Sequence, residues 1–367
     1  MEVLLHLSLI EKVGPAAVLG LIKSFELSKQ SLNDIYLLSV AELQQRGLLT
    51  LEKAQLVYHG LRSRILLDKE LQLIEKSYIT YTTIADQHYP EMLKNTHLPP
   101  IVLYSKGAGA LASQNHIAVV GSRAADRYGY TIVKTFVPEM VKQGWAIVSG
   151  GALGIDTAAH QAALDAGGIT IAVIGSGLLR AYPPQNADLF KKIIDSGGTL
   201  VSPFPLLMEA LPGNFPARNR IIAGLARGCL VVQAAAKSGA LITAQYALNE
   251  GRDVFAVPGA IDNPLSAGCH SLISQGATIA TSAADVLIAF GQEGTQMRID
   301  QAIQAPTKLL DPFAPETKLL RMCAQPVSFD ELRLQMGLND LALQDLLCDL
   351  SLEGKVAQNR IGLWQCL

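Results

Sequence analysis

Between Asn115 and Gly276, short apolar, β-branched runs alternate with helical patterns, and few folds satisfy that alternation. The runs are Ile117–Val120, Ala146–Val148, Ile169–Ile174, Leu200–Val201, Leu230–Val232 and Val254–Val257. Between most of them apolar residues recur at helical spacing, as in Tyr130–Lys142 and Thr157–Ala166. The alternation predicts an α/β architecture: a doubly wound, mostly parallel sheet with helices on both faces. The apolar content of the strands fits burial on both sides. Ligands bind such sheets at the carboxyl ends of the strands. Four loops rich in glycine and hydroxyls fall there: Gly121-Ser122-Arg123, Ser149-Gly150-Gly151, Gly175-Ser176-Gly177 and Lys237-Ser238-Gly239. With the stretch Phe215-Pro216-Ala217-Arg218-Asn219-Arg220, they are expected to gather on one edge and face something anionic.

The chemistry of each loop suits a phosphate. Glycine lets the backbone approach an anion, and a guanidinium such as that of Arg123 clamps it through two parallel hydrogen bonds. Ser149-Gly150-Gly151-Ala152-Leu153-Gly154-Ile155-Asp156 runs from a strand into a helix, so free N–H groups and the helix dipole point at one place. Lys237-Ser238-Gly239 repeats the device with an ammonium and a hydroxyl. Asp156 and His160 read as a helix cap with an i,i+4 hydrogen bond, or else as an acid/base dyad. Arg218 and Arg220 are two apart and need not point the same way, so one is free to bind ligand while the other is structural. Phe215, among Pro, Gly and polar neighbours, is either a stacking platform for a base or a core residue anchoring its loop.

The rest of the chain adds flanking modules. Residues 1–75 carry helical periodicity (Leu4, Leu7, Ile10, then Val18, Leu21, Ile22 and Phe25), with Val13-Gly14-Pro15 as a break and Gly47 as a second turn glycine. Apolar-Gly-apolar turns of this kind suit a helix-hairpin-helix that holds a phosphate, or a plain helical bundle. Tyr78–Gly109 is a joining segment with short strands at Ile79–Tyr81 and Ile101–Tyr104. Residues 76–291 form the central domain, and 292–315, rich in Gln and Pro, a linker. Residues 316–367 read as three helices and a hairpin (Lys355–Ala357 with Ile361–Trp364), a winged helix. There, five cations face seven carboxylates, which suits protein contact better than a grip on a duplex.

Net charge is −2 over 367 residues, so any nucleic-acid binding must come from a local cation cluster. Cys229, Cys269, Cys323, Cys348 and Cys366 show no metal-ligand spacing and read as reduced thiols of a cytoplasmic protein. The Met1–His6 start lacks the basic region of a signal peptide. No apolar run reaches the roughly 18 residues of a membrane span. No metal or other cofactor is expected.

In order, the motifs are Gly-Ser-Arg, Ser-Gly-Gly-x-x-Gly-Ile-Asp-x-x-Ala-His, Gly-Ser-Gly…Tyr-Pro-Pro-x-Asn, Phe-Pro-x-Arg-Asn-Arg-Ile-Ile-Ala-Gly, Ser-Gly-x-Leu-Ile-Thr-Ala and Gly-Arg-Asp-Val-Phe-Ala-Val-Pro-Gly. Over about 80–290 the set resembles the DNA-processing protein A family (DprA/Smf). The resemblance implies an extended Rossmann-like domain between an N-terminal helical (SAM/helix-hairpin-helix-like) module and the C-terminal winged helix. It also implies a homodimer that binds and protects single-stranded DNA, loads RecA onto it during natural transformation, and needs no catalytic activity. Carried over motif by motif, Arg123, Phe215, Arg218, Arg220 and Lys237 face the DNA, while Ser122, Gly151, Ser238 and Gly239 line the phosphate pocket. Two places depart from the pattern. Pro212 stands where some members have a Lys, which removes one phosphate contact, and Ser202-Pro203 and Gln233 stand where an acidic residue is common.

Two other function classes remain in view. Related folds hydrolyse nucleoside monophosphates with a glycine-rich loop followed by a Glu, but 237–244 holds no carboxylate and the next Glu is Glu250. A non-catalytic protein scaffold is the other. A dinucleotide dehydrogenase is excluded because Gly175-Ser176-Gly177 lacks the third glycine of that fingerprint.

Overall fold

A computed structural model describes residues 2–108, 111, 115–291, 315–352, 355–359 and 363–366. They fall into two compact units, Met1–Gln292 and Glu293–Leu367.

The N-terminal apolar spacing becomes α1 (Glu2–Ser8), α2 (Pro15–Ser28), α3 (Val40–Gly47), α4 (Leu51–Leu61) and α5 (Ile65–Lys76). Local chemistry sets their starts. Pro15 opens α2, where a missing N–H costs nothing. Ser39 and Glu42 close a reciprocal capping box on α3, and Thr50 caps α4. Gly47 ends α3 against Leu21, and a Cβ there would come 2.8 Å from Leu21 Cδ2. Its missing side chain is what lets α3 close onto α2.

Strands and helices then alternate: β1 (Thr80–Thr83), α6 (Glu91–Lys94), β2 (Val102–Gly107), β3 (His116–Val120), α7 (Arg127–Lys142), β4 (Ala146–Ser149), α8 (Ile155–Asp165), β5 (Thr170–Val173), α9 (Ala187–Asp195) and β6 (Thr199–Ser202). The second half continues with α10 (Asn214–Leu225), β7 (Gly228–Val231), α11 (Gly239–Asn249), β8 (Asp253–Ala256), α12 (Ala267–Ser274), β9 (Thr278–Ile279) and α13 (Ala283–Ile288). All six expected runs are strands of one sheet, ordered β1-β2-β6-β5-β4-β3-β7-β8-β9. The joining segment contributes β1 and β2, which pair antiparallel with each other, and β2 pairs antiparallel with β6. The remaining neighbours are parallel. β9 gave no sequence signal, because it has only two residues and both are exposed.

β3 to β7 are buried at every position, as strands covered on both faces must be. Alternate side chains part to opposite layers. Ile117 and Val119 meet Val133 and Phe136 of α7, Ile155 of α8 and Val286 of α13. Ala118 and Val120 share a core with Ile221 of α10, Ala244 of α11 and Cys269 of α12. The N-terminal helices and α9 form one core with Val102, Tyr104 and Leu200 at the β2–β6 end.

In the second unit, helices Pro315–Met322, Phe329–Met336 and Asp340–Leu352 precede an antiparallel pair, β10 (Val356–Gln358) and β11 (Trp364–Cys366). Leu319, Leu332, Leu343, Leu347 and Val356 form a core of its own. The expected second strand at Ile361–Trp364 is instead paired from Trp364 onward, and 360–362 lie outside the described residues. So does the expected 292–315 linker except its last residue, Pro315, which opens a helix. Among the described residues no helix is long and apolar enough to cross a membrane.

Leu48, just past α3, sits in the left-handed region at φ 50° with 92% of its surface exposed. A side chain there costs about 1 kcal/mol that glycine avoids. Leu48→Gly is expected to raise unfolding stability by about 1 kcal/mol in urea titration. A lower midpoint would show that the Leu48 side chain makes a stabilising contact.

Candidate nucleic-acid interface

β3 leads to α7 on one face of the sheet, while its neighbour β7 leads to α11 on the other. The loops leaving the two strands therefore part and open a crevice, as at any switch point of a doubly wound sheet. The base of the crevice is closed by Ser122, whose N–H donates to Gln233 O at 2.7 Å. Gln233 is almost fully buried, and its side chain also bonds Asp126. This neutral residue, one of the departures from the family pattern, acts as a bridge between the loops.

Above that floor is a cleft of about 440 Å³ lined by residues from four segments. Ser122 and Arg123 come from the loop after β3, Ala152 and Asp156 from the start of α8, Phe215, Arg218 and Asn219 from α10, and Ser238, Gly239 and Thr243 from the start of α11. Ser238 caps α11 by accepting from Ala240 N at 3.2 Å, so the positive end of the helix dipole faces the cleft. Gly154, at φ 81°, is required for the approach of α8: a Cβ would collide with the carbonyl oxygens of Ser122 and Arg123.

Phe215 is half-buried, with its ring seated on Gly175, where a Cβ would lie 2.9 Å from Cδ1. The Arg123 guanidinium lies 5.3 Å from the ring centroid. Tyr182 meets the ring edge-on at 6.0 Å. Arg123 itself is exposed, so a cation and an aromatic face stand together at the opening.

Arg218, DNA-facing by the family resemblance, does line the cleft, but as a buried side chain. It is 4% exposed, and its Nη1 donates to the carbonyls of Gly150 and Val173. Burial lowers its pKa to about 10, with Asp156 opposing the fall and Arg123 adding to it. Asp156 accepts from the N–H groups of Gly150 (3.1 Å) and Ala152 (3.3 Å). Burial raises its carboxyl above the usual range, against the pull of Arg218 and those N–H groups. Arg218 and Asp156 meet over Gly150, where a Cβ would collide with both side chains. His160 does not complete an i,i+4 pair with Asp156. Its Nδ1 bonds Thr170 Oγ1 at 2.7 Å, and that hydroxyl donates to Ile147 O. Burial, then the charge of Arg218, lowers the His160 pKa to about 3.

Three expected site residues are not among those lining the cleft. Gly151, at φ 62°, is a turn glycine whose Cβ would meet Phe190, and its carbonyl accepts from Asn186. Arg220 is half-buried on α10 and acts on Tyr89, beside α6. Lys237 is exposed one residue before Ser238. The Gly175-Ser176-Gly177 loop is also outside the cleft lining, and it serves as the seat of Phe215 rather than as a cradle. Sequence reasoning missed that seat and Tyr182, whose signal lay in the Tyr-Pro-Pro-x-Asn motif. Among the described residues no His, Cys, Asp or Glu cluster suits a metal ion.

A family model described as DNA recombination-mediator protein A matches residues 80–291. Protein Smf of Escherichia coli is 43% identical over 245 residues, 67% of this chain and 65% of that protein, so the match spans under two thirds of that relative. DNA processing protein DprA of Streptococcus pneumoniae is 47% identical over 208 residues, 57% of this chain and 73% of that protein. The X-ray structure of DprA from Streptococcus pneumoniae superposes with a TM-score of 0.70 at 36% identity, covering 78% of this chain and 97% of that one. A structure of DNA processing protein A from Helicobacter pylori, described for its single-stranded DNA binding mode, gives 0.53 at 27% identity and covers 59% and 98%.

Asp156→Ala leaves the Gly150 and Ala152 N–H groups without their acceptor and removes the carboxylate nearest the buried Arg218, and is expected to destabilise the protein by about 2–3 kcal/mol in chemical denaturation. A loss under about 1 kcal/mol would mean that the backbone carbonyls alone satisfy Arg218. His160 is held neutral when folded but protonates freely when unfolded. Stability therefore falls as pH drops from about 6.5 towards 3. His160→Asn should flatten that limb of the stability–pH curve, and an unchanged limb would assign it to other groups.

Proposed function

The chain belongs to the DNA recombination-mediator protein A family, and on that footing we propose that it binds single-stranded DNA with little sequence preference. In this reading it protects the strand and hands it to RecA during natural transformation or recombination. One observation carries the proposal: Arg123 and the Phe215 ring share a single cleft with the N-terminus of α11. A base stacks on Phe215 while Arg123, Ser122 and the α11 N-terminus take the adjoining phosphates. Bases locked in a duplex cannot offer a face to Phe215, so the single strand is preferred. The Helicobacter pylori relative, whose structure is described for single-stranded DNA binding, supports the ligand class.

Binding without catalysis fits the carboxylates. Asp156, the one carboxylate among the described lining residues, accepts backbone N–H groups. Glu250, the next Glu after the α11 loop, directs both oxygens at His97 N. We place the protein in the cytoplasm as a homodimer. The N-terminal helices act as a SAM/helix-hairpin-helix-like module, and the C-terminal helices and hairpin as a winged helix for protein contact. Helix Asp340–Leu352 carries Asp340, Asp345 and Asp349 and no Lys or Arg, so it repels a phosphate backbone.

Fluorescence anisotropy with labelled oligo-dT and a matched duplex, at two salt concentrations, tests the proposal. Expected are a preference for the single strand, affinity that falls with salt, and losses of about fivefold or more for Arg123→Ala and for Phe215→Ala. Equal affinity for duplex would remove the stacking model. Release of free base from nucleoside monophosphates would favour the hydrolase reading instead.

A further inference from the structure

We infer that Glu70, in the N-terminal helices, is a positioning residue for the single-strand site, acting through the segment that leads into Phe215. The inference rests on the cleft being that site. Carboxylates are rarely buried unless something holds them, yet Glu70 is only 6% exposed. Its Oε1 accepts from Leu206 N at 2.7 Å, across 136 residues of chain. It also neighbours Tyr104 of β2, where its charge comes second to burial in keeping the phenol protonated. Glu70 thus joins α5, the sheet and the loop after β6.

That loop is tied to the seat of Phe215. Leu206 O accepts from Leu179 N at 3.0 Å, and Met208 O from Gly177 N at 2.8 Å. A Cβ on Gly177 would collide with the carbonyls of Pro205 and Leu206, so the two segments lie backbone to backbone. Gly175, on which Phe215 rests, is two residues upstream. At the other end Asn214 Nδ2 donates to Glu209 O at 3.1 Å and Phe215 N to Pro212 O at 3.4 Å. Apolar packing already holds α5 near this loop, with Leu67 and Leu206 fully buried in one core. A groove of about 400 Å³, lined by Leu66, Leu73, Pro205, Leu207, Met208 and Leu211, runs between them. Beside that groove the hydrogen bond from Leu206 N to Glu70 adds a directional tie to the packing.

A purely structural Glu70 would lower stability and leave the affinity of folded protein unchanged. The test is a double-mutant cycle on the full chain, with Glu70→Ala and Glu70→Gln each combined with Phe215→Ala, and oligo-dT binding read by anisotropy below each variant's melting temperature. Glu70→Ala should weaken binding about three- to tenfold, inside the roughly 2- to 30-fold range of remote coupling energies. In the Phe215→Ala background its effect should shrink below about twofold. Glu70→Gln, whose amide oxygen still accepts from Leu206, should keep most of the affinity. The salt dependence should not change, because no phosphate contact is lost. Equal losses in both backgrounds, an altered salt slope, or full affinity in folded Glu70→Ala would each overturn the inference. Should Glu70→Ala not fold, Glu70→Leu, which fills the space but accepts no hydrogen bond, takes its place in the cycle. Failure of the unmutated chain to bind oligo-dT would overturn the single-strand reading first and the role of Glu70 with it.

Discussion

The guanidinium of Arg218 is buried at the carboxyl ends of β4 and β5, donating to the carbonyls of Gly150 and Val173. Those carbonyls lie where the chain leaves the sheet, so strand pairing does not satisfy them, and a buried carbonyl without a partner is costly. Arg218 answers that need and fixes α10 over the strand ends. The position of α10 then places Phe215 on Gly175 and brings Asn219 to the start of α11, where it donates to Gly239 O. Asp156 beneath it balances the charge, and its own bonds to Gly150 and Ala152 shape the turn into α8. The cleft walls supplied by α8 and α10 rest on these two buried side chains.

Because Arg218 is committed to the backbone, the proposed contact with an anion is left to other groups. Arg123 is exposed and lies over the Phe215 ring, and the α11 N-terminus supplies oriented N–H groups from a second direction. A chain of net charge −2 can hold a polyanion on such terms, since the field that matters is set within a Debye length of the site.

The N-terminal helices share one apolar core with the β2–β6 end of the sheet, joined through Glu70 to the loop that precedes α10. Their helical character could be read from the spacing of Leu4, Leu7, Leu21 and Phe25. Their link to the sheet could not, because a lone Glu in an amphipathic helix looks like any solvated residue. The strands were legible because a strand covered on both faces must be apolar throughout. β9 was not, since its two residues are exposed. The capping boxes at Ser39 and Ser328 are also written locally, as Ser-x-x-Glu.

For the site, sequence order alone established which loops end strands, and hence that Ser122, Arg123, Ser238 and Gly239 share one edge of the sheet. It also marked Phe215, Arg218 and Arg220 as a unit without saying where each points. Tertiary structure divided them. Residues two apart on a helix are about 200° apart around its axis, so Arg218 turns inward to the strand ends while Arg220, half-buried, leaves on another side and stays out of the cleft lining. The same packing gave Gly151 to Phe190 and Gly175 to Phe215. Periodicity reports which residues lie along an element. The partner that each side chain meets depends on contacts between segments far apart in the chain, and only the assembled sheet brings those together.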